Sequence, residues 1–141
     1  MYFKNKKFLL SSVFIVALCV ESVALAGYCP SSDNPLVISA DCYALTIFNN
    51  KSAVTVQSGV TITEKSTGFF NPVEIRSAVD SFTNNGTIKS SLLTPGAVEV
   101  SALNIFSNAS LGILNNNGTI TAAPTGTAGV DVSGNLTTLN N

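Results

Sequence analysis

Apolar residues fall into short alternating runs along most of this chain. Val54-Thr55-Val56, Val60-Thr61-Ile62, Val73-Glu74-Ile75, Val98-Glu99-Val100 and Val130-Asp131-Val132 each place two β-branched residues around one polar residue. That period of two belongs to strands with one covered face. Clusters of Asn and Gly separate the runs. Asn, Ser and Thr supply 42 of residues 27–141, and such short side chains bond their own backbone in turns, which works against helix. Low charge and high apolar content argue against disorder. The pattern predicts an all-β chain.

One unit of the pattern recurs. Phe82-Thr83-Asn84-Asn85-Gly86-Thr87-Ile88 returns as Leu114-Asn115-Asn116-Asn117-Gly118-Thr119-Ile120, 32 residues later. Gly59-Val60-Thr61-Ile62 reads as an earlier, degenerate copy, and Leu139-Asn140-Asn141 as the start of a later one. The acidic strands beginning at 73, 98 and 130 give periods of 25 and 32. Repeats of 20 to 50 residues mark solenoids, in which each turn covers the open face of its neighbour. Each Val-x-Val strand should turn its apolar residues inward and its carboxylate (Glu74, Glu99, Asp131) outward. Asn-Asn-Gly should allow a sharp bend through positive φ, and asparagines at equivalent positions should form ladders along the stack. The expected fold is a right-handed parallel β-helix. An antiparallel arrangement of hairpins at the Asn-Gly pairs is the competitor, but it does not explain a recurring unit.

The N-terminus differs in kind. Lys4, Lys6 and Lys7 precede an apolar run from Phe8 to Val20, and Ala24-Leu25-Ala26 offers a small-x-small cleavage site. Residues 1–26 therefore read as a signal peptide, cleaved between Ala26 and Gly27. The run is shorter than the roughly 20 residues a spanning helix needs. Leu18 before Cys19 argues against a lipoprotein site. Residues 27–50 then form an N-terminal cap, stapled by a disulfide between Cys29 and Cys42, as an exported pair at short separation implies. Residues 51–141 hold the solenoid repeats, incomplete at their C-terminal end.

Charge and composition remove several functions. After cleavage four basic and seven acidic residues remain, a net charge of −3. An acidic chain with the single arginine Arg76 is a poor binder of phosphate backbones, so no nucleic-acid partner is expected. There is no His and no Trp, which excludes histidine-based catalytic and metal sites. The carboxylates are dispersed and no Gly-x-Ser-x-Gly elbow occurs. No catalytic, metal or cofactor-binding residue is expected, and the chain does not read as an enzyme. Sequons at Asn50, Asn85, Asn108, Asn117 and Asn135 follow from composition. Phe69, Phe70 and Phe106 are expected to fill the core rather than form a ligand platform.

The signal, the Asn-Asn-Gly-Thr-Ile repeats, the acidic Val-x-Val strands and the lack of cysteine in the repeat region together resemble the N-terminal part of a Gram-negative autotransporter passenger. The likeness spans about residues 50–141. It implies a β-helical, adhesin-like exoprotein that passes the export machinery and reaches the outer membrane or medium through a C-terminal β-barrel, for which this sequence has no strands. It also implies adhesion or a structural stalk, with host surfaces, glycans or sister cells as partners. The chain is thus expected to be a piece of a larger exoprotein, with an open end prone to association. A fimbrial subunit with an antiparallel sandwich is the alternative, sharing the signal, the cysteine pair and the size.

Overall fold

The computed structural model describes residues 27–64, 71–90, 100–124 and 128–141. The expected signal peptide, Ala26 of its cleavage pair, Val98-Glu99 and Phe69-Phe70 lie outside the described residues.

The alternating runs become strands of a chain that winds in coils, three strands to a coil. β1 (Gly27–Tyr28) leads in. The first coil holds β2 (Leu36–Ile38), β3 (Cys42–Tyr43) and β4 (Leu45–Ile47). The second holds β5 (Lys51–Val56), β6 (Thr61–Thr63) and β7 (Val73–Ile75). The third holds β8 (Ala78–Asn84), β9 (Thr87–Lys89) and β10 (Leu103–Ile105). The fourth holds β11 (Ser110–Asn116), β12 (Thr119–Thr121) and β13 (Val130–Val132), and β14 (Asn135–Asn140) opens a fifth.

Equivalent strands stack into three sheets. One wall is β2-β5-β8-β11-β14, a second β1-β3-β6-β9-β12, and a third β4-β7-β10-β13. Every pairing among the described residues is parallel. The described chain is all-β and β-helix-like. Antiparallel hairpins at the Asn-Gly pairs are ruled out, because the strands flanking each pair belong to different sheets.

Register places like above like. Leu36, Val54, Phe82, Leu114 and Leu139 form one column. Cys42, Ile62, Ile88 and Ile120 form another. Leu45, Val73, Leu103 and Val130 form a third, beside Ile47, Ile75, Ile105 and Val132. Most of these side chains are fully buried in one continuous core. Burying a Val, Leu or Ile stabilises by about 1.5–3 kcal/mol, and only a neighbouring coil supplies that cover.

Asparagine ladders run beside the apolar columns, as expected. Asn84 Nδ2 donates to Asn116 Oδ1 at 2.9 Å, and Asn116 Nδ2 to Asn141 Oδ1 at 2.7 Å. Asn117 Nδ2 donates to Asn85 Oδ1 at 3.0 Å, and Asn140 Nδ2 to Asn115 Oδ1 at 2.7 Å. Asn84 is wholly buried, and its carboxamide is satisfied by two further bonds, to Thr119 O (3.2 Å) and from Gly86 N (3.1 Å).

Three expectations are corrected. The strand stacked between β7 and β13 is Leu103-Asn104-Ile105, not Val98-Glu99-Val100. Its polar residue is uncharged, so a search for acidic centres passes over the correct alternation. The Asn-Asn-Gly corners do not use positive φ, which occurs among the described residues only at Ala44 and Gly59. Glycine is required there by close approach instead. A Cβ on Gly86 would collide with Val60 O and lie 2.6 Å from Gln57 O, and one on Gly118 would collide with Gly86 O. Finally, Glu74 does not project into solvent; it is 4% exposed.

Residues 27–50 contribute a full coil as well as the lead-in segment. Cys29 and Cys42 form a disulfide, and Cys42 stands at the head of the Ile62 column. Lys51 occupies an inward position in register with Val79 and is 4% exposed. Its ammonium donates to Ser32 O (3.1 Å) and Asp33 O (2.7 Å) within the disulfide loop. Asn34 Oδ1 accepts from Ser52 N at 2.8 Å and Ser52 Oγ at 2.9 Å, fastening the same loop to β5. Hydrogen bonds from a charged donor contribute about 1.5–3 kcal/mol. Lys51→Ala should therefore lower stability by about 2–4 kcal/mol in a denaturant titration, whereas exposed Ser52→Ala should cost under about 1 kcal/mol.

Candidate functional site

Connections between walls differ sharply in length, and the long ones share a corner. From the first wall to the second the chain passes through residues 39–41, 57–60, 85–86 and 117–118. From the third to the first it passes through 48–50, 76–77, 106–109 and 133–134. From the second to the third it passes through Ala44 alone in the first coil, but through 64–72, 90–102 and 122–129 in the next three. A solenoid tolerates insertions only outside its stacked strands, and those insertions commonly form its working face.

The described flanks of these connections carry an unusual share of buried polarity. Glu64, Glu74, Ser90 and Ser101 are all buried there. Asn71 joins two coils: its Oδ1 accepts from Ser101 N at 2.9 Å, while its Nδ2 donates to Glu74 Oε1 at 3.2 Å. Arg76 Nε donates to Glu74 Oε2 at 2.9 Å. The Arg76 guanidinium lies 3.8 Å from the Phe106 ring centroid. Phe106 is therefore a half-buried support for Arg76 at the turn after β10, and not a core residue as expected. The third wall presents the column Thr46, Glu74, Asn104 and Asp131 beside this network.

Each member has a local reason for its place. Glu74 and Arg76 alternate along β7 and its continuation, so both side chains leave the same face. Phe106 follows β10 one coil on, directly next to Arg76, because β7 and β10 are in register. The network binds the second coil to the third through side chains outside the core. Removing Arg76 would leave the buried Glu74 carboxylate with the Asn71 carboxamide as its side-chain donor. Arg76→Ala should cost about 1–2 kcal/mol in thermal unfolding, less than a fully buried pair because the Arg76 side chain is 36% exposed. Arg76→Lys should recover only part, since an ammonium cannot lie flat on the Phe106 ring.

Among the described residues no group of three or more His, Cys, Asp or Glu stands close enough to hold a metal ion. No helix among them is long and apolar enough to cross a membrane. Ser90 Oγ and Asn104 Oδ1 are buried without a hydrogen-bond partner. They stand on either side of the third coil's long connection, Ser90 just after β9 and Asn104 within β10.

The two ends of the stack are unlike. At the first coil β1 overlies β3, and the disulfide loop is pinned by Lys51. In the first coil β2 and β4 pair on one side only, as do β12, β13 and β14 at the last. Between the last three lies an open depression of about 200 Å³, lined by Asn116, Ile120, Gly129, Val130, Leu139 and Asn141. Leu139 is 53% exposed there, although its column partners Leu114 and Phe82 are buried. An apolar mouth ringed by unpaired strand edges fits another coil of the same pattern.

Sequence singled out the disulfide pair and the Asn-Asn-Gly-Thr-Ile repeat, and these lie at the capped end and along the opposite corner. It did not single out the Asn71–Glu74–Arg76–Phe106 network. The usable signal was Arg76 itself, one arginine two residues after a carboxylate on a strand. No protein-family model, curated protein or solved structure matches this chain.

Proposed function

We propose that this chain is a β-solenoid segment of an exported, surface-exposed passenger of the autotransporter type, serving adhesion or acting as a stalk. The solenoid is right-handed, following the handedness of nearly all crossovers between parallel strands. The observation that carries the reading is the parallel, in-register stack with its long connections at a single corner. A stalk needs coils that add without limit, and the in-register columns supply that. An adhesive face needs segments held on a rigid frame, and the connections 64–72, 90–102 and 122–129 all join the framework strands at one corner. Many weak contacts repeated along a solenoid add through multivalency.

In this reading the partners are host surfaces, glycans or sister cells, and the location is the surface of a Gram-negative cell, with the outer membrane reached through a barrel on the same polypeptide. The fimbrial alternative loses its structural basis, because strand donation into a sandwich requires antiparallel sheets.

The test is display on a non-adherent Gram-negative strain expressing the complete reading frame. Antibodies against residues 27–141 should label intact cells, and attachment or autoaggregation should rise. Labelling without attachment would leave the stalk and remove adhesion. Absence of labelling on intact cells, with the protein detected after lysis, would overturn the surface assignment.

A further inference from the structure

The chain contains two Asn-Gly pairs, Asn85-Gly86 and Asn117-Gly118, in equivalent corners one coil apart. Asn-Gly is the dipeptide most open to spontaneous deamidation, because glycine leaves its own backbone nitrogen unhindered for attack on the asparagine side chain. Sequence alone treats the two pairs alike. The fold does not.

At the inner pair the nucleophile is occupied. Gly86 N donates to Asn84 Oδ1 at 3.1 Å, and Gly86 is buried. At the outer pair Asn117 is exposed, and the matching bond from Gly118 N to Asn116 Oδ1 is not formed among the described residues. Asn116 Oδ1 is turned instead toward Asn84 Nδ2. The ladder that closes one corner thus leaves the next one open.

We infer that Asn117 is a self-modification site, at which this corner converts to aspartate or isoaspartate while Asn85 is protected. The Gly118 backbone nitrogen loses its proton and forms a bond to Asn117 Cγ. The Cγ–Nδ2 bond breaks, and the nitrogen leaves as ammonia carrying that proton. Solvent water then opens the cyclic imide at either carbonyl, leaving a carboxylate at position 117. Either product lacks the Nδ2 donor that now bonds Asn85 Oδ1. Isoaspartate also adds a methylene to the main chain between two rungs, Asn117 N to Asn84 O (2.8 Å) and Thr119 N to Gly86 O (2.9 Å). Both rungs cannot then keep their register, so the third and fourth coils loosen at this corner as the protein ages.

The test is peptide mass spectrometry of the full chain during incubation at mildly alkaline pH, folded and in denaturant. In denaturant both pairs should convert at similar rates. In the folded chain Asn117 should convert about tenfold faster than Asn85, the factor expected when one attacking N–H must first give up a hydrogen bond. Asn84→Ala frees Gly86 N and should raise the Asn85 rate toward that of Asn117, with circular dichroism confirming the fold. Asn117→Gln should abolish conversion at 117. Equal rates at the two sites in the folded wild-type chain, a faster Asn85, or no conversion at either would overturn the inference, whether or not the Asn84 variant folds.

Discussion

Gly118→Ala should be among the most damaging single-methyl additions in this molecule. The new Cβ would fall on Gly86 O, a backbone atom of the coil below, far inside 3.0 Å. Main chain cannot rotate away as a flexible side chain would. The fourth coil must lift from the third, straining the rungs from Asn117 N to Asn84 O and from Thr119 N to Gly86 O. Overpacking a core costs about 1–3 kcal/mol, and a clash between two backbones should reach or exceed the upper figure. In a domain of this size the melting temperature should fall by about 10–20 °C. Gly86→Ala meets Val60 O and Gln57 O in the same way and should behave alike. Gly27→Ala, where nothing lies within 4 Å of the added carbon, should be nearly neutral. If Gly118→Ala melts like the parent, close coil-to-coil contact at the Asn-Asn-Gly corner is wrong.

Phe82→Ala should have the other large effect. Phe82 is wholly buried, between Val54 below and Leu114 above in the same column. Truncation of a buried Phe costs about 3–5 kcal/mol, through lost transfer energy and the cavity that remains. Adjacent Thr83 faces the other side of the strand, and Thr83→Ala should change stability by only about 0.5 kcal/mol. Urea titration of both variants gives the contrast. Similar effects at the two positions would mean that β8 has no inward and outward face.

The repeat was legible because two coils share a seven-residue pattern in the same register. Phe82 does stack on Leu114 and Ile88 on Ile120, and Leu139-Asn140 continues Leu114-Asn115. The cysteine pair was legible from its short spacing, 13 residues. Other parts were hidden for physical reasons. Strand β2 is Leu36-Val37-Ile38, with no polar residue to betray its alternation, because Val37 is exposed at the end of the stack. Strand β10 centres on neutral Asn104. The Asn-Asn-Gly corner was recognised for the wrong reason. Glycine serves turns and close backbone approach alike, and only coordinates separate the two.

The corner network was hidden more deeply. A carboxylate on a half-polar strand ordinarily faces water, and nothing local says that Asn71 and Arg76 will enclose Glu74. That depends on Asn71, just before β7, and Arg76, just after it, converging on the Glu74 carboxylate. Insertions at one corner became recognisable only once the strands on each side had been placed, since a long connection in sequence does not reveal which corner it spans.

Parallel stacking itself is tested most directly by distance between outward positions of the first wall. Thr83, Asn115 and Asn140 form one column, so nitroxide labels at Thr83 and Asn115 should sit on strands about 4.8 Å apart, and labels at Thr83 and Asn140 about 10 Å apart. Continuous-wave electron paramagnetic resonance should show strong dipolar broadening for the first pair and weaker broadening for the second. Narrow spectra for both pairs, with broadening instead between Thr83 and a label just beyond the Asn85-Gly86 turn, would contradict the coiled arrangement.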